Sequence, residues 1–347
     1  MPDLPGIVSA VQKNCDISDA LHAGDYTLCT YLLKMREYYR WEHDLSYFVQ
    51  VPQDDLGAWL TAREQMWSEI EASPMAPVPV ASGLADPFDS ESINRELVPS
   101  GYVYSAGYGK FNKPLFFLGS LLRQEEREGF TILCSSCEYA RELAAPPAML
   151  CGRTIYARQE SARRFVWEKI DEWRWRKQDN AMQRALACYD FAENEAALDA
   201  MTNGALDLMI LHELGEGMID RSLGDRWRVM VSGLARSRAE LVARAVRDHL
   251  ADCRSTLPGL LDRNESGLLH FYFANLDGLR RILFADLEEA YQQWVQHHDT
   301  SPLRIAVERG VRHWSETAQR LLDAYDADPE HAVTEIESLL PESERDH

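Results

Sequence analysis

Basic residues, cysteines and long apolar runs are all scarce in this chain. Only 36 of its 347 residues are Lys or Arg, against 56 Asp or Glu, for a formal net charge of −20. Coating nucleic acid or an anionic membrane surface rests on Lys and Arg, so neither is expected as a partner, while a protein partner stays open. No run of about 18 apolar residues is present to span a bilayer. The opening Met1-Pro-Asp-Leu-Pro-Gly6 has neither the basic nor the apolar region of a signal peptide, and a cytoplasmic protein is expected. Seven cysteines, an odd number thinly spread, do not make a disulfide framework. Cys134-Ser-Ser-Cys137 with Cys151 is the one suggestive spacing. It falls a thiol short of a four-cysteine zinc or iron–sulfur site, and the alternative is small buried residues beside a turn.

What is present is a 46% hydrophobic chain, enough for a substantial core in one large or two smaller units. The expected fold is mainly α, a multi-helix bundle with a small β-sheet insertion. Residues 1–72 read as N-terminal helices, one long over about 9–50 and one over about 53–72. Residues 73–100 form a Pro/Ala/Ser-rich connector. Residues 101–158 form a small α/β insertion with strands at Tyr102–Ser105, Phe130–Cys134 and Thr154–Ala157, and a helix over Leu115–Glu126. Residues 159–347 read as a C-terminal helical bundle packing with 1–72, its helices near 181–200, 205–220, 225–253 and 265–298, with one helix or a broken pair over about 302–340. Between 153 and 184, nine basic residues interleave with Tyr156, Phe165, Trp167, Trp173 and Trp175. Such a run can stack on single-stranded nucleic acid, but in so acidic a chain the arginines are expected to pair internally.

The candidate site lies in Ala205-Leu-Asp-Leu-Met-Ile-Leu-His-Glu-Leu-Gly-Glu-Gly-Met-Ile-Asp220. At 3.6 residues per turn His212 and Glu216 share a face with Ala205, Leu208, Met209 and Ile219. Polar groups on such a face must be paired, hydrogen-bonded or metal-bound. On the next helix His249 and Asp252, three apart, can face the same point. Glu42 interrupts an apolar stripe of Tyr31, Met35, Tyr38, Leu45 and Val49, either as a ligand or as the partner of an arginine. His249 likewise is either a ligand or a hydrogen-bonded core histidine. Two helices each turning a His and a carboxylate inward match helical metal sites. Hard oxygens with imidazole suit zinc, iron or manganese. Without a metal, the same residues could form a buried polar network that sets helix register. Gly215 and Gly217 in mid-helix cost about 1 kcal/mol each relative to Ala, so a ligand or a neighbouring helix is expected to come close there.

His212-Glu213-Leu-Gly-Glu216 resembles the HExxH helix of zinc peptidases, with Glu in place of the second His. The resemblance implies His212 and Glu216 as metal ligands, Glu213 as general base and His249 as a third ligand, with Asp252 binding the metal or orienting a ligand. The segment is also similar to the His-Asp-Leu-Gly-Lys motif of HD phosphohydrolases, with Glu213 where the Asp would stand. The expected activity is metal-dependent hydrolysis of a small molecule or peptide; the alternatives are an iron or manganese oxidoreductase and a non-enzymatic scaffold. Across most of its length, on Leu28-Cys-Thr-Tyr-Leu-Leu-Lys-Met-Arg-Glu-Tyr-Tyr-Arg-Trp-Glu42 and Leu211–Glu216, the chain resembles an uncharacterised bacterial family of mainly helical proteins. That resemblance implies no activity.

Overall fold

The computed structural model describes residues 3–341 apart from 110–111, 177–179, 192–193 and 277. The chain is mainly α and divides into two units, Met1–Lys169 and Ile170–His347. The first comprises α1 (Leu4–His22), α2 (Leu28–Glu42), α3 (Gln53–Ile70), a hairpin of β1 (Val78–Val80) and β2 (Gly83–Ala85), α4 (Ser90–Leu97), and five longer-range strands. These are β3 (Tyr102–Tyr108), β4 (Pro114–Arg127), β5 (Phe130–Arg141), β6 (Ala148–Cys151) and β7 (Thr154–Arg158). Their order is β3-β4-β5-β7-β6, antiparallel except for the parallel pair β5–β7.

Several expected boundaries move. The single helix over 9–50 is two, because the chain turns at Ala23–Asp25 and restarts where the Thr27 side chain accepts from the Thr30 N–H. Residues 115–126 are strand, not helix. Leu121 to Arg127 favours helix locally, but the turn at Glu128 and Gly129, both at positive φ (52° and 74°), folds β4 back on β5, and the ladder outweighs the propensity. The stretch 73–100 is no bare connector. Asn14 on α1 donates to Ala76 O (2.8 Å) and accepts from its N–H (2.6 Å), while Asn94 on α4 does the same with Tyr104 (2.7 and 2.8 Å). The stripe Ile7, Val11 and Cys15 of α1 shares a core with Val78, Ile93, Leu97, Tyr104, Phe116 and Leu118. Residues 1–72 and 101–158 are thus built around each other.

Charge is buried here too. Glu138 on β5 accepts from Arg158 (2.7 and 3.1 Å) and from the N–H and hydroxyl of Ser161 (3.1 and 2.6 Å), and Arg158 also reaches Glu142 (3.1 Å). Arg164 donates to Glu168 and to the Ala144 and Ala145 carbonyls. The first part of the basic run is therefore spent inside the unit. The three thiols do not gather: Cys134 is buried on β5, Cys137 is exposed, and no cysteine joins a potential metal cluster among the described residues.

From β7 the chain enters α5 (Gln159–Arg176), which runs past residue 169 into the second unit. There follow α6 (Ala181–Ala187), α7 (Asn194–Gly233), α8 (Arg238–Ala251), a π-helical turn (Asp252–Thr256), α9 (Leu257–Arg263), α10 (Ser266–Asn275), α11 (Gly278–Leu283), α12 (Ala285–His297), α13 (Ser301–Ala327) and α14 (Pro329–Glu337). A helix does start at 225 as expected, because Gly224 (φ 65°, ψ −160°) interrupts helical geometry within α7, but it stops at Gly233 and not near 253. Ser237 then caps α8, accepting from Glu240 N–H (3.1 Å), while Glu240 accepts from the N–H of Arg236 (2.7 Å), one residue before the cap. The helix expected over 265–298 is three, broken where Leu276 and Phe284 leave helical geometry. Among the described residues no helix is long and apolar enough to cross a membrane.

Candidate metal centre

α8 lies against α7 because Gly215 lets it: a Cβ there would stand 2.5 Å from the carbonyl oxygen of Ala251. The close neighbour expected from the mid-helix glycines is therefore a helix backbone. Pro258 shapes the other end. It has no N–H, and its ring would crowd the carbonyl of Arg254 in a regular α-helix. The turn widens instead, with Leu257 N–H bonding Asp252 O five residues back. Such π turns recur at functional sites.

On these two helices His212 and Glu216 of α7 face Asp248 and Asp252, one turn apart on α8 and the π turn. One ligand atom each from His212, Glu216 and Asp248 lie within 4.8 Å of one another, the one such group among the described residues. His212 Nε2 is 3.5 Å from Glu216 Oε1, and its Nδ1 is 2.8 Å from Asp252 Oδ1. The three grouped side chains are 17–26% exposed, whereas Asp252 is sealed at 1%. Asp252 is saturated with donors: the Thr256 hydroxyl (2.8 Å), the Tyr272 hydroxyl (2.7 Å), the Arg280 guanidinium and His212. Arg247 donates to Glu216 (2.5 Å) and lies 3.7 Å from Asp220 and 3.9 Å from Asp248.

The electrostatics follow from these contacts. Burial alone would depress the His212 imidazole, yet Asp252 and then Glu216 hold it well above its ordinary value. Burial likewise works against ionised Asp252 and Glu216. Arg280 and His212 overcome it for Asp252, and His212 and Arg247 bring Glu216 down to about 2. Asp248 has no comparable partner, and burial pushes it up.

Two of the expected ligands are committed elsewhere. His249 donates from Nε2 to the Arg280 carbonyl (2.8 Å), stacks on Trp314 at 4.8 Å and meets Phe284 edge-on. It is fully buried, and burial followed by the Arg280 charge pushes it down to about 4. It is the core histidine of the alternative reading, and Asp248 stands where it was expected. Glu42 lies in the first unit, accepting from Trp59 Nε1 (2.5 Å) and paired with Arg63. Glu213 is half-buried and outside the three-residue group. Asp248, Arg247, Tyr272 and Arg280 were not legible as site residues. Asp248 carried one overlooked signal, its four-residue spacing from Asp252.

No curated protein and no solved structure matches the chain. Residues 6–158 match the N-terminal domain and residues 163–343 the C-terminal domain of the Family of unknown function (DUF6866), and it is to this family that the chain belongs.

Proposed function

We propose that the C-terminal unit holds a divalent cation between His212 Nε2, Glu216 and Asp248 and uses it to hydrolyse a small-molecule or peptide substrate. The convergence of those three ligand atoms within 4.8 Å carries the reading, since bonds of about 2.0–2.2 Å leave room for an ion among them. Asp252 supports it: a carboxylate on the far nitrogen is the usual means of fixing the tautomer and orientation of a ligating imidazole. One imidazole with two carboxylates suits zinc, iron or manganese. The cation would supply Lewis acidity. The chain's own residues would do the rest: Asp252 keeps the proton on Nδ1, Arg247 moves from Glu216 toward Asp220, and Glu213, next to His212, serves as base.

A second reading rests on the Arg247–Glu216 pair. With His212 protonated, the group is a closed network that sets the register of α7 against α8 and needs no ion. Elemental analysis of the purified chain beside His212→Ala and Asp248→Ala separates the two. Zinc near one equivalent, lost in both variants, supports the hydrolytic centre; iron or manganese moves the chemistry to oxidation. No metal in any sample, and no rise in melting temperature on adding zinc or manganese, leaves the network. Asp252→Asn is expected to weaken metal affinity roughly 10–100-fold while leaving the three ligands in place.

A further inference from the structure

In the first unit α1, α2 and α3 meet around an open groove of about 430 Å³, a volume within the range of small-molecule sites. Tyr26, Tyr31 and Trp67 line it, and Leu28, 70% exposed, forms its lip. Its charge comes from one helix. Glu64 and Glu71 are the two charged lining residues, with Ser68 between them. Two full turns separate the carboxylates, so they project from one face of α3 about 10 Å apart along its axis. The bond from Glu71 N–H to Trp67 O (3.0 Å) carries helical geometry as far as the second. The Tyr31 hydroxyl donates to Glu64 (2.9 Å), holding that carboxylate at the groove. Lys34 and Lys113 lie over the Tyr26 ring at 5.6 and 5.5 Å without lining the groove, and Asp19 balances Lys113. Tyr26 is thus already engaged by cations, leaving Leu28, Tyr31 and Trp67 as the apolar surface.

We propose that this groove binds an aliphatic polyamine, with its methylenes along Leu28, Tyr31 and Trp67 and its terminal ammonium groups at Glu64 and Glu71. The two lining carboxylates favour a cation over an anion, a monoamine would meet one carboxylate, and a metal ion cannot span two helical turns. A cation at each end of an apolar chain answers both the charge and the lining. This site is independent of the proposed metal centre and lies in the other unit.

Titration calorimetry on the full chain with spermidine, ethylenediamine, butylamine and magnesium tests it. Saturable one-to-one binding of spermidine is expected, well ahead of the short diamine, the monoamine and the metal. Glu64→Gln and Glu71→Gln should each weaken it roughly two- to fivefold, as exposed charge pairs do, and the double variant should reduce spermidine to the level of butylamine. Spermidine binding no tighter than magnesium or butylamine, or unchanged in the double variant, overturns the proposal. Should the double variant fold poorly, spermidine-induced chemical-shift changes in the wild-type chain decide: confined to the groove they support the site, and absent there they sink it.

Discussion

The carboxyl of Asp19 is sealed in the first unit between the Lys113 ammonium (2.7 Å) and the Leu143 main-chain N–H (2.7 Å). Burial outweighs both partners and lifts it from 3.8 to about 6. The folded chain therefore holds this proton more tightly than the unfolded one. The contribution of Asp19 to stability should fall as pH rises from about 4 to about 6, by a few kcal/mol at most. Urea denaturation at pH 4.5 and 7 measures the drop as a difference between wild type and Asp19→Asn with Lys113→Met, which should lose that share of the pH dependence. Asp19→Asn alone leaves a buried ammonium unpaired and should cost about 3–5 kcal/mol, whereas the double replacement should come close to wild type. At the candidate centre, legibility also turned on single residues. His212 and Glu216 were readable because i,i+4 spacing on an apolar face is a local property. The choice between His249 and Asp248 was not. α8 is buried on two sides, toward α7 and toward Trp314, and its apolar pattern cannot say which side holds the chemistry.

Between helices the decisive feature is Gly215. Replacing it with Ala gains helix propensity of about 1 kcal/mol, but the new Cβ meets a backbone oxygen, which cannot swing aside. Net destabilisation of about 1–3 kcal/mol is expected, as for other overpacked contacts, read as a lower urea midpoint. Unchanged or raised stability would show that α7 and α8 can separate without cost. Elements themselves were legible where pattern and partner agreed: α3, β3 and β7 lie close to their expected places. They were not legible where a distant partner decides. β4 reads as a helix until β5 is laid beside it, and 73–100 reads as a linker until Asn14 is seen gripping Ala76 near its start and its own Asn94 gripping Tyr104 on β3.

For the whole chain, two cores imply two responses. Hydrogen exchange followed peptide by peptide should show Gly215→Ala loosening residues 170–347 and Asp19→Asn loosening residues 1–169, each sparing the other. Equal loosening of both would mean that the halves unfold as one. Length and composition foretold at most two units. The division near residue 169 falls inside α5, where no change of composition marks it. The widened turn at Asp252–Thr256 has a further consequence. Each α-helical residue advances the chain by about 100°, so removing a single codon there would turn all that follows by that angle and press the proline ring against the preceding turn. The shortened protein would re-aim everything from α9 onward and lose the anchor behind His212. Natural variants of this chain should therefore tolerate gaps in surface loops long before they tolerate one in these five residues.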